Sequence, residues 1–172
     1  KDTFLDPDTN LVHAPVPVDI VDKRSCTSEV PCRAEQKGPK RIEMSFSNFL
    51  RRVTEDTDDF LYLKDWHFDQ YYRQLYHRDA YTVPLVFQDD WLNHYYQHIY
   101  HKNDTSNCNG KDDYAFCYIG TKNSFTGIHH DVLYSYSWSI NLVGTKKWTL
   151  WSPLKAQCLL APNELLPETA VT

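Results

Sequence analysis

Apolar and polar positions change rhythm along the chain. Residues 1–41 are mostly polar and broken by Pro7, Pro15, Pro17, Pro31 and Pro39, which predicts an irregular arm with one short strand near Val16–Val21. From Ser45 to Val53 the apolar residues Phe46, Phe49, Leu50 and Val53 recur at helical spacing behind Ser45, a residue suited to an N-cap. Phe60 to Trp66 has β-rich character. Trp91 to His101 reads as an amphipathic helix behind Asp89-Asp90, with Trp91, Leu92, Tyr95, Tyr96, Ile99 and Tyr100 as its apolar stripe. A polar loop, Lys102 to Lys111, then gives way to short strands at Tyr114–Ile119, Gly127–Val132, Ser137–Val143 and Trp148–Trp151. In the third of these, Trp138, Ile140 and Leu142 alternate with Ser137, Ser139 and Asn141, the period of a half-polar sheet. Gly120, Gly127 and Gly144 punctuate the strands. The pattern predicts an antiparallel sheet or barrel in the second half, with helices concentrated before it.

Composition narrows the class. A length of 172 residues suits one core, and 41% hydrophobic with 24% charged residues is the balance of a folded protein. Five Trp, twelve Tyr and eight Phe can fill that core. No run approaches the about 18 apolar residues of a spanning helix, so no membrane is expected. A formal charge of −5 argues against direct nucleic-acid binding. The basic stretch Lys37 to Arg41, with Arg51 and Arg52, reads as solvated surface. The chain begins at Lys1 with no charged-then-apolar leader, and is read as a processed protein or a piece of one.

Cys26, Cys32, Cys108, Cys117 and Cys158 form no C-x-x-C pair, so neither a zinc ribbon nor a redox dithiol is supported. Reduced thiols in a cytoplasmic protein are the simplest reading, with a Cys26–Cys32 disulfide as the alternative. Asn103-Asp104-Thr105 matches a glycosylation acceptor but needs a secretory route that nothing else suggests.

Two histidine groups could carry chemistry. His94, His98 and His101 stand at i, i+4 and i+7, yet on the polar face of their helix and without a carboxylate, so they read as surface histidines. His129-His130-Asp131 is the better candidate. On a strand His129 and Asp131 share one side and His130 faces the other, and an imidazole nitrogen beside a carboxylate suits a divalent iron or similar metal. Alone, H-x-D is short enough to be a structural His–Asp pair. Thr126 three residues earlier, and Lys146 seventeen residues after His129, add a hydroxyl and a cation. Together they suit a ligand that chelates the metal at one end and carries an anionic tail.

The run Thr126-Gly127-Ile128-His129-His130-Asp131, followed by Ser137-Trp138-Ser139-Ile140-Asn141-Leu142-Val143-Gly144-Thr145-Lys146-Lys147-Trp148, resembles the core of the JmjC oxygenases. The resemblance implies a mainly β fold with flanking α-helices, a double-stranded β-helix of the jelly-roll or cupin type. It implies Fe(II), 2-oxoglutarate and O2, with His129 and Asp131 as metal ligands. Lys146 and Thr126 fall at the co-substrate positions, and Ser139 falls where many relatives carry Asn. Leu61 to His67, Asp90 to Asn93 and Asp112 to Tyr114 extend the likeness towards the family's lysyl hydroxylases of a translation termination factor. That branch implies a protein substrate. His67, amid Trp and Tyr neighbours, reads as structural.

One departure stands out. The family's metal triad includes a distal His, and no His follows His130. On this reading residues 1–111 form a helical and irregular part flanking the barrel, and residues 112–172 supply the first strands of an incomplete one. Two other readings compete with the hydroxylase: a histone lysine demethylase on the same chemistry, and a binding module that keeps part of the pocket without turnover.

Overall fold

Val16 and Val18 are both fully buried, and across the sheet from them lie Leu61 and Leu63, also fully buried. This short apolar alternation is the seed of the fold. The structure is a computed structural model and describes residues 10–22, 39–55, 58–96, 98, 114–152 and 155. Outside them lie Cys26, Cys32, Cys108, Cys158, the Asn103-Asp104-Thr105 triplet, His101, Asp112-Asp113 and the loop Lys102–Lys111. The chain divides into two compact units, Lys1–Phe125 and Thr126–Thr172.

The first unit runs in the order β1 (Pro15–Asp22), β2 (Lys40–Ser45), α1 (Phe46–Thr54), β3 (Asp59–Trp66), α2 (Phe68–Tyr76), α3 (Trp91–Tyr95) and β4 (Cys117–Gly120). Its four strands form one antiparallel sheet, ordered β2-β1-β3-β4. Val18 pairs with Ile42 on one side and Leu63 on the other, so the apolar positions fall in register across three strands. Phe46 and Phe49 of α1 join Leu11, Ala14 and Trp66 in the same core. Ser45 caps that helix as its sequence predicts, accepting from the Asn48 N–H at 3.3 Å.

The short strand expected near Val16–Val21 is present as β1, but the reading of the rest of the arm as irregular is corrected. The arm contributes β1, part of β2 and the buried residues Leu11, Val12, Ala14, Val16 and Val18. Its prolines misled: Pro15 and Pro17 pair only with β2, before the Val18–Asp22 stretch that also pairs with β3. A proline is tolerated where one side of a strand carries no ladder. Arg41, read as solvated, instead donates from Nε to Asp19 Oδ1 at 2.7 Å and from Nη2 to Asp65 Oδ2 at 2.9 Å. Tyr118 completes the row by donating to Asp65 Oδ1 at 3.0 Å. One polar chain thus crosses all four strands. It ends at a bulge between Leu63 and Trp66, where Asp65 holds φ +61°.

Helix α2 was not predicted. Its aromatic rings pack tilted against one another in sequence, Trp66 to Phe68 at 5.0 Å, Phe68 to Tyr72 at 5.7 Å and Tyr72 to Tyr76 at 4.5 Å. Buried Asp69 accepts from the Ala80 N–H at 2.8 Å and pairs with Arg73 at 2.6 Å, one turn on. Left-handed His77 ends the helix. Helix α3 begins where expected, at Trp91, and residues 97 and 99–101 of the expected helix lie outside the described residues. Of its stripe, Trp91 is exposed by 72% and Tyr95 by 43%, while Leu92 and Tyr96 are half-buried. Polar contacts hold it: Asp90 caps the Asn93 N–H at 3.0 Å, and Asn93 Oδ1 accepts from the Tyr114 N–H at 2.7 Å.

The second unit departs most from the sequence pattern. Gly127–Val132, Ser137–Val143 and Trp148–Trp151 form no regular strands, and a short 3-10 turn occupies Val132–Tyr134. Alternation marks which side chains share a face, whereas a strand also needs a neighbour for its N–H and C=O groups. Among the described residues only His130 forms a bridge, no ladder extends along these segments, and Ile140, Leu142, Val143 and Leu150 are exposed. No helix among the described residues is long and apolar enough to cross a membrane.

Candidate functional site

His129, Asp131 and Lys146 all lie in the second unit. The His129 Nδ1–H donates to the Gly127 carbonyl at 2.8 Å. A neutral ring held that way keeps its lone pair on Nε2, the form that ligates metals. His129 Nε2 faces Asp131 Oδ1 at 3.7 Å, beyond hydrogen-bond reach. Two metal–ligand bonds of about 2.1 Å span at most about 4.2 Å, so one ion reaches both. The pair therefore fits a divalent metal as a two-point chelate. Among the described residues no set of three His, Cys, Asp or Glu side chains gathers around one point.

The turn after Asp131 shapes the rest of the carboxylate. The Tyr134 N–H donates to the Asp131 carbonyl at 3.1 Å, and the Ser135 N–H and hydroxyl both donate to the Val132 carbonyl. Leu133 and Tyr134 take positive φ values of 55° and 51°, which fold the chain back on itself. Ser137 consequently reaches Asp131, and its hydroxyl donates to Oδ2 at 2.6 Å. Sequence reading passed over Ser137. The one available signal was a serine six residues after the aspartate, which carries little information until the turn is known. His130 is occupied elsewhere, its ring stacked on Tyr134 at 4.3 Å.

Lys146 follows a second turn. Gly144 adopts φ +76°, a left-handed conformation that glycine takes at no steric cost, and its carbonyl accepts from Asn141 Nδ2 at 2.8 Å. The Lys146 ammonium sits 4.3 Å from the Trp148 ring centroid in a cation–π contact. Partial burial lowers its pKa, and the Asp131 charge opposes that shift. Thr126 and Ser139 are exposed, and the described residues show no hydrogen bond from either to His129 or Asp131. In the first unit His94 and His98 stack at 4.6 Å, with His98 Nδ1 against the His94 carbonyl at 3.2 Å. His67 packs edge-on against Phe116 at 5.0 Å.

Comparison with known proteins supplies the remaining identification. Residues 13–171 match the model of the Cupin-like domain. The chain is 45% identical over 119 residues to the 2-oxoglutarate and iron-dependent oxygenase JMJD4 of Gallus gallus, covering 69% of this chain and 25% of that protein. It is 40% identical over 125 residues to the arginine-specific demethylase JMJ20 of Arabidopsis thaliana, covering 66% and 26%. The Homo sapiens JMJD4 oxygenase is 36% identical over 107 residues, covering 62% and 22%. The chain thus spans about a quarter of the length of the curated relatives it matches. No solved structure matches it. With nearly its whole length under one family model, the chain belongs to the Cupin-like domain family.

Proposed function

We propose that the protein carrying this chain is an Fe(II)- and 2-oxoglutarate-dependent oxygenase that hydroxylates a protein side chain. The observation that carries this reading is the His129–Asp131 pair, Nε2 and Oδ1 lying 3.7 Å apart with the imidazole Nδ1 held on the Gly127 carbonyl. The relatives named as iron- and 2-oxoglutarate-dependent oxygenases support it. On this reading residues 112–172 would supply strands of a double-stranded β-helix once further strands are there to pair with them, and residues 1–111, with β1–β3, flank that part.

Each residue has a defined task on this reading. His129 and Asp131 hold the metal and leave other coordination positions open. Lys146 and Thr126 take the distal carboxylate of 2-oxoglutarate, the lysine through a charge-assisted hydrogen bond, and Ser139 is assigned as a further polar contact to the same co-substrate. Bound iron supplies the oxidising chemistry toward O2. The finer substrate assignment is lysyl hydroxylation of a translation termination factor in the cytoplasm, drawn from the resemblance of Leu61 to His67, Asp90 to Asn93 and Asp112 to Tyr114 to that branch of the family.

A second reading, removal of N-methyl groups, is favoured by the likeness to the Arabidopsis protein named as an arginine-specific demethylase. The two separate by product, a gain of one oxygen on the target against release of formaldehyde. The test is turnover by the full-length protein on termination-factor and methylated histone peptides, read by mass spectrometry. Oxygen insertion that disappears in Asp131→Ala supports the hydroxylase. Formaldehyde release in its place assigns the demethylase, and metal binding without turnover assigns a binding module.

A further inference from the structure

We infer that Ser137 is a positioning residue for the metal carboxylate, aiming one oxygen of Asp131 at the ion by occupying the other. The inference rests on the metal role proposed above for His129 and Asp131. Its ground is the division of labour within one carboxylate. Oδ2 accepts the Ser137 hydroxyl at 2.6 Å, a short O–H···O⁻ contact of the strong kind, while Oδ1 faces His129 Nε2. A carboxylate free to rotate about its last bond can turn either oxygen, or both, toward a cation. With Oδ2 held by Ser137, that rotation is restrained and Oδ1 stays turned toward His129.

The matching device on the other side of the pair is the Gly127 carbonyl, which accepts from His129 Nδ1 and fixes the imidazole plane. Both ligands are therefore oriented by atoms of the same short segment, one N-terminal to the pair and one C-terminal. The turn at Val132–Tyr134 brings the serine within reach, and its two positive-φ residues make the approach a property of the backbone. A general feature of metal sites gives the scale. Partners that hydrogen-bond the ligands typically carry a 10–100-fold effect on metal affinity when removed.

The experiment measures Mn²⁺ binding to the whole chain by the loss of the free-ion electron paramagnetic resonance signal, comparing wild type, Asp131→Ala, Ser137→Ala and Ser137→Thr. Mn²⁺ is chosen because its preference for oxygen and imidazole over thiolate keeps the cysteines from competing. The expected result is binding that Asp131→Ala abolishes, that Ser137→Ala weakens about 10–100-fold, and that Ser137→Thr restores because the hydroxyl returns. Ser137→Ala binding as tightly as wild type overturns the inference while leaving the metal pair intact. An equal loss in Ser137→Ala and Ser137→Thr also overturns it, since a merely structural effect of substitution is then the cause. If wild type and Asp131→Ala bind alike, the metal assignment itself fails and this inference falls with it.

Discussion

Single side chains here are governed by what removes water from them. Lys146 lies over Trp148 with its charged form disfavoured by burial. Its ammonium therefore sheds its proton at lower pH than an exposed lysine. If Lys146 anchors the distal carboxylate of 2-oxoglutarate, Lys146→Ala should weaken apparent co-substrate affinity about 10–100-fold, the worth of a hydrogen bond to a charged group. The measurement is the 2-oxoglutarate concentration for half-maximal turnover in the full-length protein. Wild-type affinity should also fall early on the alkaline side, and Lys146→Arg, which stays charged, should postpone that fall. An unchanged half-maximal concentration in Lys146→Ala removes the residue from the anchoring role.

Cys117 shows the same physics on an acid. Burial pushes its thiol up to about 11. At neutral pH it should resist alkylation in the folded chain and react on unfolding, as peptide-level mass spectrometry of iodoacetamide-treated samples will record. The sign for stability follows directly. Between the ordinary thiol range and about 11, the unfolded chain releases its proton first, so stability falls as pH rises through that window. Cys117→Ala should flatten that decline. His129 and Asp131 could be singled out at this scale only because Thr126 and Lys146 surround the short H-x-D, and their metal role stands as proposed above. Ser137 could not, because its contact with Asp131 depends on two backbone angles that no side-chain pattern reports.

At the scale of elements, periodicity was readable where one face is buried. Helix α1 follows its predicted spacing, with the Ser45 cap as anticipated, and β3 forms where Phe60 to Trp66 had β-rich character, because Phe46, Phe49, Leu61 and Leu63 all enter one core. Strand β2 and helix α2 were missed for the opposite reason. Lys40, Arg41 and Glu43 look like surface charge, and only pairing with β1 gives Arg41 its carboxylate partners. That network yields a direct prediction. Arg41→Leu leaves the largely buried Asp19 carboxylate without its charged donor and should cost about 1.5–3 kcal/mol in chemical denaturation. The double variant Arg41→Leu/Asp19→Asn should recover part of the loss, because the stranded charge is gone. Additive losses would mean that the two residues act separately.

Over the whole molecule, the two units differ in how their backbone is satisfied, and exchange of amide hydrogens should record it. Strand β1 has a neighbour on each side, and its apolar residues are among the most buried in the chain. Residues 137–151 show no ladder among the described residues and expose Leu142, Val143 and Leu150 by 88%, 90% and 87%. Exchange from β1 and β3 should require opening of the sheet and so approach the global stability, whereas 137–151 should exchange with little protection. The segment around Asp131 should stand between these limits, since the Tyr134 and Ser135 amides are tied into the turn. Hydrogen–deuterium exchange read peptide by peptide tests this ranking. Protection of 137–151 equal to that of β1 would mean that the alternating pattern of Trp138, Ile140 and Leu142 has found its strand partner in solution. The alternation itself would then have been the better guide to this half of the chain.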